Sequence, residues 1–121
     1  MDLILNVRKA FPFLALAAYM GLIFYLSSIP LELPEIAWDP SKFTLHIFEY
    51  IILGFLSFNA LRKSSTSFLL SSIYGITDEF HQSFVPTRTF SFSDMVADVI
   101  GSFLGVVLCF LLLRKIGKKR K

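Results

Sequence analysis

The chain has 121 residues, 55% of them hydrophobic and 17% charged, with a net charge of +3. Soluble domains are about 45 to 50% apolar and about 25% charged, so this composition excludes an ordinary soluble domain and an intrinsically disordered chain. The single cysteine, Cys109, excludes a disulfide scaffold. The apolar excess is gathered into four runs, each near the ~20 residues that cross a bilayer. They leave only two tails and three connections, so the chain reads as one all-α, compact four-helix transmembrane domain.

The first run covers residues 11–29. It follows Arg8 and Lys9 and is closed by Pro30, which cannot continue the hydrogen-bond ladder of a helix. It exceeds the ~7–15 residues of a signal-peptide core and no A-x-A cleavage pattern follows, so it is read as a span. The segment LELPEIAWDP that comes next is an outward loop, with Trp38 as an interface anchor. The second span covers residues 42–61 and stops at Arg62 and Lys63. The short KSSTS link makes the third, residues 67–85, its antiparallel neighbour. Pro86 ends the third span, PTRTFSFSD forms another outward segment, and the fourth span covers residues 94–113. Gly101 and Gly105 are spaced for close helix contact. The tail GKKRK reads as a solvated anchor attracted to anionic lipid.

The basic residues decide orientation. Of the 12 Lys and Arg, all but Lys42 and Arg88 lie in the tail from Arg114, at Arg8 and Lys9, or at Arg62 and Lys63. The positive-inside rule then places both termini and the middle loop in the cytoplasm. The positive charge is thereby assigned to topology, and no nucleic-acid partner is called for.

Polar residues interrupt the spans at His46, Glu49, Asp78, Glu79, His81, Gln82 and Asp98, with Lys42, Arg88 and Asp94 at the margins. An ionised group deep in a bilayer costs about 2.5–3.5 kcal/mol on insertion scales, so these groups need partners or water. At 1.5 Å per residue, Glu49 lies ~10 Å below Lys42, Asp78 ~12 Å below Pro86 and Asp98 ~6 Å below Asp94. All therefore fall in the outer part of the membrane and should converge. Helical spacing groups Lys42, His46, Glu49 and Tyr50 in one stripe, Tyr74, Asp78 and either His81 or Gln82 in a second, and Asp94, Asp98, Gly101 and Gly105 in a third. Glu79 lies about 100° around its helix from Asp78, so the two acids point different ways.

The stretch YGITDEFHQSFVPTRTFSFSDMVADVIGSFLG resembles the signature half of VanZ-like membrane proteins, with its aromatic, DE-x-x-Q, VPGR-like turn, following Asp and Asn, and closing glycine pair. KFTLHIFEY is similar to that family's DK-x-x-H-x-x-x-Y helix, and LSSIP to the Ser-Pro end of its first helix. The matching positions are Ser27, Ser28, Pro30, Lys42, His46, Tyr50, Asp78, Glu79, Gln82, Pro86, Arg88, Asp94, Gly101 and Gly105. Three positions depart from the pattern: Ser41 stands for Asp, Thr87 for Gly and Asp98 for Asn. Thr87 argues against a positive-φ turn, and Asp98 adds a negative charge. The resemblance implies a multi-pass protein of the bacterial cytoplasmic membrane, and the family is named for an association with resistance to teicoplanin-type glycopeptides.

Three kinds of role fit these residues. As an enzyme, the protein would use His46, Asp78, Glu79, Gln82 and Asp94 for chemistry, with Glu79 or Asp78 as general base. Lys42, Tyr50, Arg88 and Asp98 would hold the substrate, Lys42 and Arg88 as clamps for an anion. The substrate would be a membrane lipid headgroup or a lipid-linked cell-envelope precursor reached from outside. A divalent metal is one version of this reading, with His46, Glu49, Asp78, Glu79, Asp94 and Asp98 as ligands. Asp78-x-x-His81 reads as a local cap or ion pair. As a binding protein, the same cleft would capture a lipid or glycopeptide without chemistry. A transport path is disfavoured, because the inner halves of the second and fourth spans are apolar. The bland reading makes the polar groups interhelical hydrogen bonds alone.

Overall fold

The computed structural model describes residues 1–30 and 39–121, so Trp38 and most of its loop lie outside the described residues. The chain folds into α1 (Asp2–Ser27), α2 (Pro40–Leu61), α3 (Ser64–Ser83) and α4 (Phe92–Lys119), with no strand among the described residues. Three of these, α1, α2 and α4, are long and apolar enough to cross a membrane. The third helix is not among them. Its first half carries Ser64, Ser65, Ser67, Ser71 and Ser72, and its second half carries Asp78, Glu79, His81 and Gln82. It owes its place in the bundle to polar contacts rather than to hydropathy.

The helices are longer than the apolar runs, for local reasons. α1 begins at Asp2, ahead of the apolar run, because the Leu, Val, Arg, Lys and Ala residues between Asp2 and Phe11 are helix-compatible and an acid in the first turn complements the helix dipole. Pro12 sits inside it and removes one hydrogen bond to the preceding turn. α2 begins at Pro40, a residue pre-shaped for the first turn. Its N-cap is Asp39, whose Oδ1 accepts from the Ser41 N–H at 3.0 Å and from the Ser41 hydroxyl at 2.6 Å. The hydrogen bond from the Ser41 hydroxyl holds the Asp39 carboxyl below its usual pKa. α4 runs on through Gly117 to Lys119, because cations at a helix C-terminus are favourable. Most of the basic tail is thus helical.

The turn from α2 to α3 is tighter than the KSSTS link suggested. Arg62 adopts a left-handed conformation with φ 58° and donates its N–H to the Phe58 carbonyl at 2.9 Å, ending α2. Lys63 then starts α3 directly. At the other end of α3, Thr87 overturns an expectation: its φ is 68°, the positive value that a β-branched residue disfavours. The turn is closed by the Arg88 N–H on the Val85 carbonyl at 3.2 Å and the Thr87 hydroxyl on the Pro86 carbonyl at 2.5 Å. Such a conformation costs about 1–3 kcal/mol and persists only where the surroundings enforce it.

Two chain reversals make α2 and α4 run the same way, and they share the most extensive contact in the bundle. Glycine sets that contact. A Cβ on Gly101 would strike the Ile47 carbonyl, one on Gly105 the Ile51 carbonyl, and one on Gly54 the Ser102 carbonyl. The backbones therefore touch, as in membrane helix pairs built on small residues. Ser57, Ser67, Ser71, Ser102, Ala97 and Cys109 are buried alongside a small apolar core of Leu16, Ile23, Tyr50 and Leu53, with the Ser71 hydroxyl donating to Ser57 at 3.0 Å. Large apolar side chains such as Phe13, Phe48, Phe103 and Phe110 point outward. That inversion suits a protein solvated by lipid.

Candidate functional site

The end of the bundle where α2 and α4 begin and α3 ends collects the titratable groups. From α2 come Lys42 and, one turn on, His46. From α4 come Asp94 and Asp98, again one turn apart, and α3 contributes Glu79. The parallel run of α2 and α4 keeps these two pairs level. Lys42 Nζ lies 2.7 Å from Asp94 Oδ2, and His46 Nδ1 lies 2.8 Å from Asp98 Oδ1. His46 also has Glu79 Oε1 at 4.0 Å from Nδ1 and Asp94 Oδ2 at 3.6 Å from Nε2. Glu79 and Asp98 are fully buried, and His46 and Asp94 nearly so. The Lys42 side chain, 22% exposed, is the accessible member.

Glu79 and Asp98 are each fixed on one side and open on the other. The Ser91 N–H donates to Glu79 Oε2 at 3.1 Å, while Glu79 Oε1 has no hydrogen-bond partner. Asp98 Oδ1 meets His46, while Oδ2 has no hydrogen-bond partner. Ser91 caps α4 by accepting from the Asp94 N–H at 3.3 Å. One residue thereby positions both the helix that carries Asp94 and the acid of α3. The pattern Ser91-x-x-Asp94 is a helix-start signature readable in the sequence, but its reach to Glu79 is tertiary.

The remaining candidates form a second group beside the first. Gln82 donates from Nε2 to Asp78 Oδ2 at 3.0 Å and accepts from Arg88 Nη1 at 3.4 Å. Arg88 donates from Nε to the Ile29 carbonyl at 2.8 Å and from Nη2 to the Leu26 carbonyl at 3.1 Å. Its guanidinium therefore satisfies carbonyls left open at the end of α1 and is not placed as an anion clamp beside Lys42. His81 does not pair with Asp78. Its Nε2 meets the Ser28 hydroxyl at 2.8 Å and its ring stacks on Phe24. Of the two residues that could have joined Asp78 on its stripe, Gln82 is the one that does. The two adjacent acids of α3 do point different ways: Glu79 serves the His46 group and Asp78 the Arg88 group.

Tyr50 lies in the dry core with Ile23 and Leu53 and is fully buried, its hydroxyl without a hydrogen-bond partner. It lies next to Asp98, since a Cβ on Gly75 would touch both Tyr50 Cε1 and Asp98 Oδ2 at 3.0 Å. Glu49 is half-buried, and its backbone carbonyl accepts the Tyr19 hydroxyl at 2.9 Å. It is not in the group of possible metal ligands, which comprises His46, Glu79 and Asp98, with donor atoms within 4.8 Å of one another. An apolar cavity of about 300 Å³ lies elsewhere, between the α2-proximal end of α3 and the middle of α4, lined by Phe68, Phe103, Val106 and Phe110 among others. It has no titratable lining.

Chemically, the His46 group joins an imidazole with carboxylates near both nitrogens, two unpartnered carboxylate oxygens and a lysine at the mouth. It can hold an anion near Lys42 and exchange protons or hold a cation within. No curated protein and no solved structure matches the chain. The profile of the VanZ/LLP1 family matches residues 3–113, which takes in all of α2 and α3, nearly all of α1, and every residue of both polar groups. The protein is therefore a helical membrane protein belonging to the VanZ/LLP1 family.

Proposed function

We propose that the His46 group is an acid–base site that works on the anionic headgroup of a membrane lipid or lipid-linked cell-envelope precursor at the outer face of the bacterial cytoplasmic membrane. The observation that carries this reading is His46, buried, with Asp98 2.8 Å from Nδ1, Asp94 3.6 Å from Nε2 and the unpartnered Glu79 Oε1 4.0 Å from Nδ1. A buried acceptor left unpaired costs about 1–3 kcal/mol, and here two such carboxylate oxygens lie within reach of one imidazole. Lys42, at the accessible edge, meets the anion. His46 and Glu79 handle protons within, and Asp94 and Asp98 orient the imidazole. The multi-pass topology follows the basic residues, with both termini cytoplasmic, so that the site opens outward.

The test is release of phosphate or headgroup from vesicles containing a panel of envelope lipids by the purified protein. Glu79→Gln keeps the shape of the side chain and removes the ionisable acid, so turnover should fall at least a hundredfold while lipid binding persists. Lys42→Ala should weaken binding chiefly. Full turnover in Glu79→Gln would remove the acid–base assignment. Topology is tested separately, in a Cys109→Ala background, by labelling single cysteines with an impermeant reagent. Positions near Thr89 should react and those near Arg62 and Lys118 should be protected.

A second reading, capture of a lipid or a teicoplanin-type glycopeptide without chemistry, is favoured by the commitment of Arg88 to the α1 carbonyls. That leaves Lys42 as the cation nearest the group. Under this reading no lipid is turned over, and Glu79→Gln leaves capture intact or tightens it by removing a negative charge.

A further inference from the structure

Glu79 and Asp98 are both fully buried, and each keeps one oxygen without a hydrogen-bond partner. Two ionised carboxylates side by side in a membrane interior are strongly unfavourable unless positive charge lies among them. Lys42 is placed on Asp94, at 2.7 Å from Oδ2. When ionised, the remaining pair carries the two negative charges that one divalent cation would balance.

We infer that His46 Nδ1, Glu79 Oε1 and a carboxylate oxygen of Asp98 form a binding site for one divalent transition-metal ion. The donor set of one imidazole and two carboxylates suits Zn²⁺ or Mn²⁺ better than the all-oxygen sites of Mg²⁺ and Ca²⁺. The spacing suits it too. Donors around a tetrahedral ion with bonds near 2.0–2.2 Å stand roughly 3.3–3.6 Å apart. His46 Nδ1 lies 2.8 Å from Asp98 Oδ1 and 4.0 Å from Glu79 Oε1, on either side of that range. All three donors lie within 4.8 Å of one another, so side-chain shifts on the order of an ångström would bring them onto one ion.

The surroundings are arranged as the outer shell of a metal site would be. An ion bound at Nδ1 would replace the hydrogen bond between that nitrogen and Asp98 Oδ1, and Asp94, 3.6 Å from Nε2, stands where it could take the N–H of the other ring nitrogen. Lys42 holds Asp94 in turn, and the Ser91 N–H holds Glu79 by Oε2, directing Oε1 inward. Among the described residues three protein donors are present, so a position stays open for water or a headgroup oxygen. Placing an ion there rests in one respect on the proposed function: a bound headgroup would be polarised by the metal, and His46 and Glu79, given proton handling above, would serve as its ligands.

The test is metal content and binding on the intact protein in detergent, by elemental mass spectrometry after dialysis against a chelator and reloading with Zn²⁺ or Mn²⁺. The wild type should bind one ion per chain and should gain thermal stability on reloading. His46→Gln, Glu79→Gln and Asp98→Asn should each weaken binding at least tenfold. Asp94→Asn, acting through His46, should weaken it about 10- to 100-fold, and Glu49→Gln should leave it unchanged. Each variant's helicity and elution profile are recorded alongside, so that loss of metal is counted only in folded protein. Should none of the three ligand variants fold, Asp94→Asn and Glu49→Gln on the folded protein still decide the matter. A wild type that takes up neither metal, or whose uptake is the same in Asp94→Asn, overturns the site. Turnover that persists in chelator without metal uptake would sink this inference and leave the acid–base reading standing. Stoichiometric metal with no turnover on any lipid would do the reverse.

Discussion

The seam between α2 and α4 and the docking of α1 are built on different physics. Along the α2–α4 seam the backbones touch at Gly54, Gly101 and Gly105, and no larger residue fits. α1 buries only Leu16, Ile23 and Ser27, and a Cβ on its Gly21 would meet nothing within 4 Å. It is held by hydrogen bonds at intervals: the Tyr19 hydroxyl on the Glu49 carbonyl, the Tyr74 hydroxyl on the Met20 carbonyl, and Arg88 and His81 at its end. In lipid there is little hydrophobic drive to bring apolar helices together, so association comes from close packing or from polar contacts. This protein uses the first where the His46 group must be held in register and the second where a helix need only be kept in place.

The largest effect that would break this comparison comes from leucine in place of glycine. Gly105→Leu drives a side chain into the Ile51 carbonyl and the Phe55 nitrogen and should destabilise the protein by about 3 kcal/mol or more, measured as loss of the thermal transition in detergent. Gly21→Leu should stay within about 0.5 kcal/mol of the wild type. Equal tolerance at the two positions would mean that the seam is not set by backbone contact.

A smaller effect is expected at the end of α1. Arg88→Ala removes its donors to the Ile29 and Leu26 carbonyls and should cost about 1–3 kcal/mol. The loss should appear as faster amide exchange in the last turn of α1, with α4 unaffected. Ser28→Ala removes the partner of His81 Nε2 and should cost about 1 kcal/mol or less, in the same turn. If exchange rose equally in α2 and α4, the idea of a separately attached α1 would fail.

The smallest effect is a pH dependence at the start of α2. The Asp39 carboxyl is held below its usual pKa, first by the Ser41 hydroxyl. Its contribution is therefore fully present above the unfolded value of about 3.9 and is lost as pH falls through the lower folded value. The protection of the first-turn amides of α2, measured against their intrinsic exchange at each pH, should fall below about pH 4 and stay constant from there to neutrality. Asp39→Ala should abolish that pH step.

Local chemistry alone determined much of this molecule. The all-helical class, the three apolar spans and the common level of the polar residues follow from apolar run length and a rise of 1.5 Å per residue, while α3 was marked by its helical spacing and by Pro86 rather than by hydropathy. The close approach at Gly101 and Gly105 was legible from their spacing, and so was the divergence of Asp78 and Glu79, because neighbours on a helix point about 100° apart. Helix ends were less legible, since hydropathy marks what lipid can cover and capping decides where a helix stops. Asp39 and Arg62 set those ends by hydrogen bonds and backbone conformation.

What only the tertiary structure decided is the partnership of each polar side chain. A stripe on one helix leaves open which neighbour it meets, because that depends on how three helices are rotated about their own axes. Here the rotation puts His46 between Asp98 and Glu79 and turns His81 to Ser28. Arg88 goes to the carbonyls of a helix about sixty residues earlier in the chain. Thr87 shows the same limit in the backbone. Its intrinsic preference opposes φ 68°, yet the turn that brings Arg88 to α1 requires that conformation, and the fold outweighs the local preference.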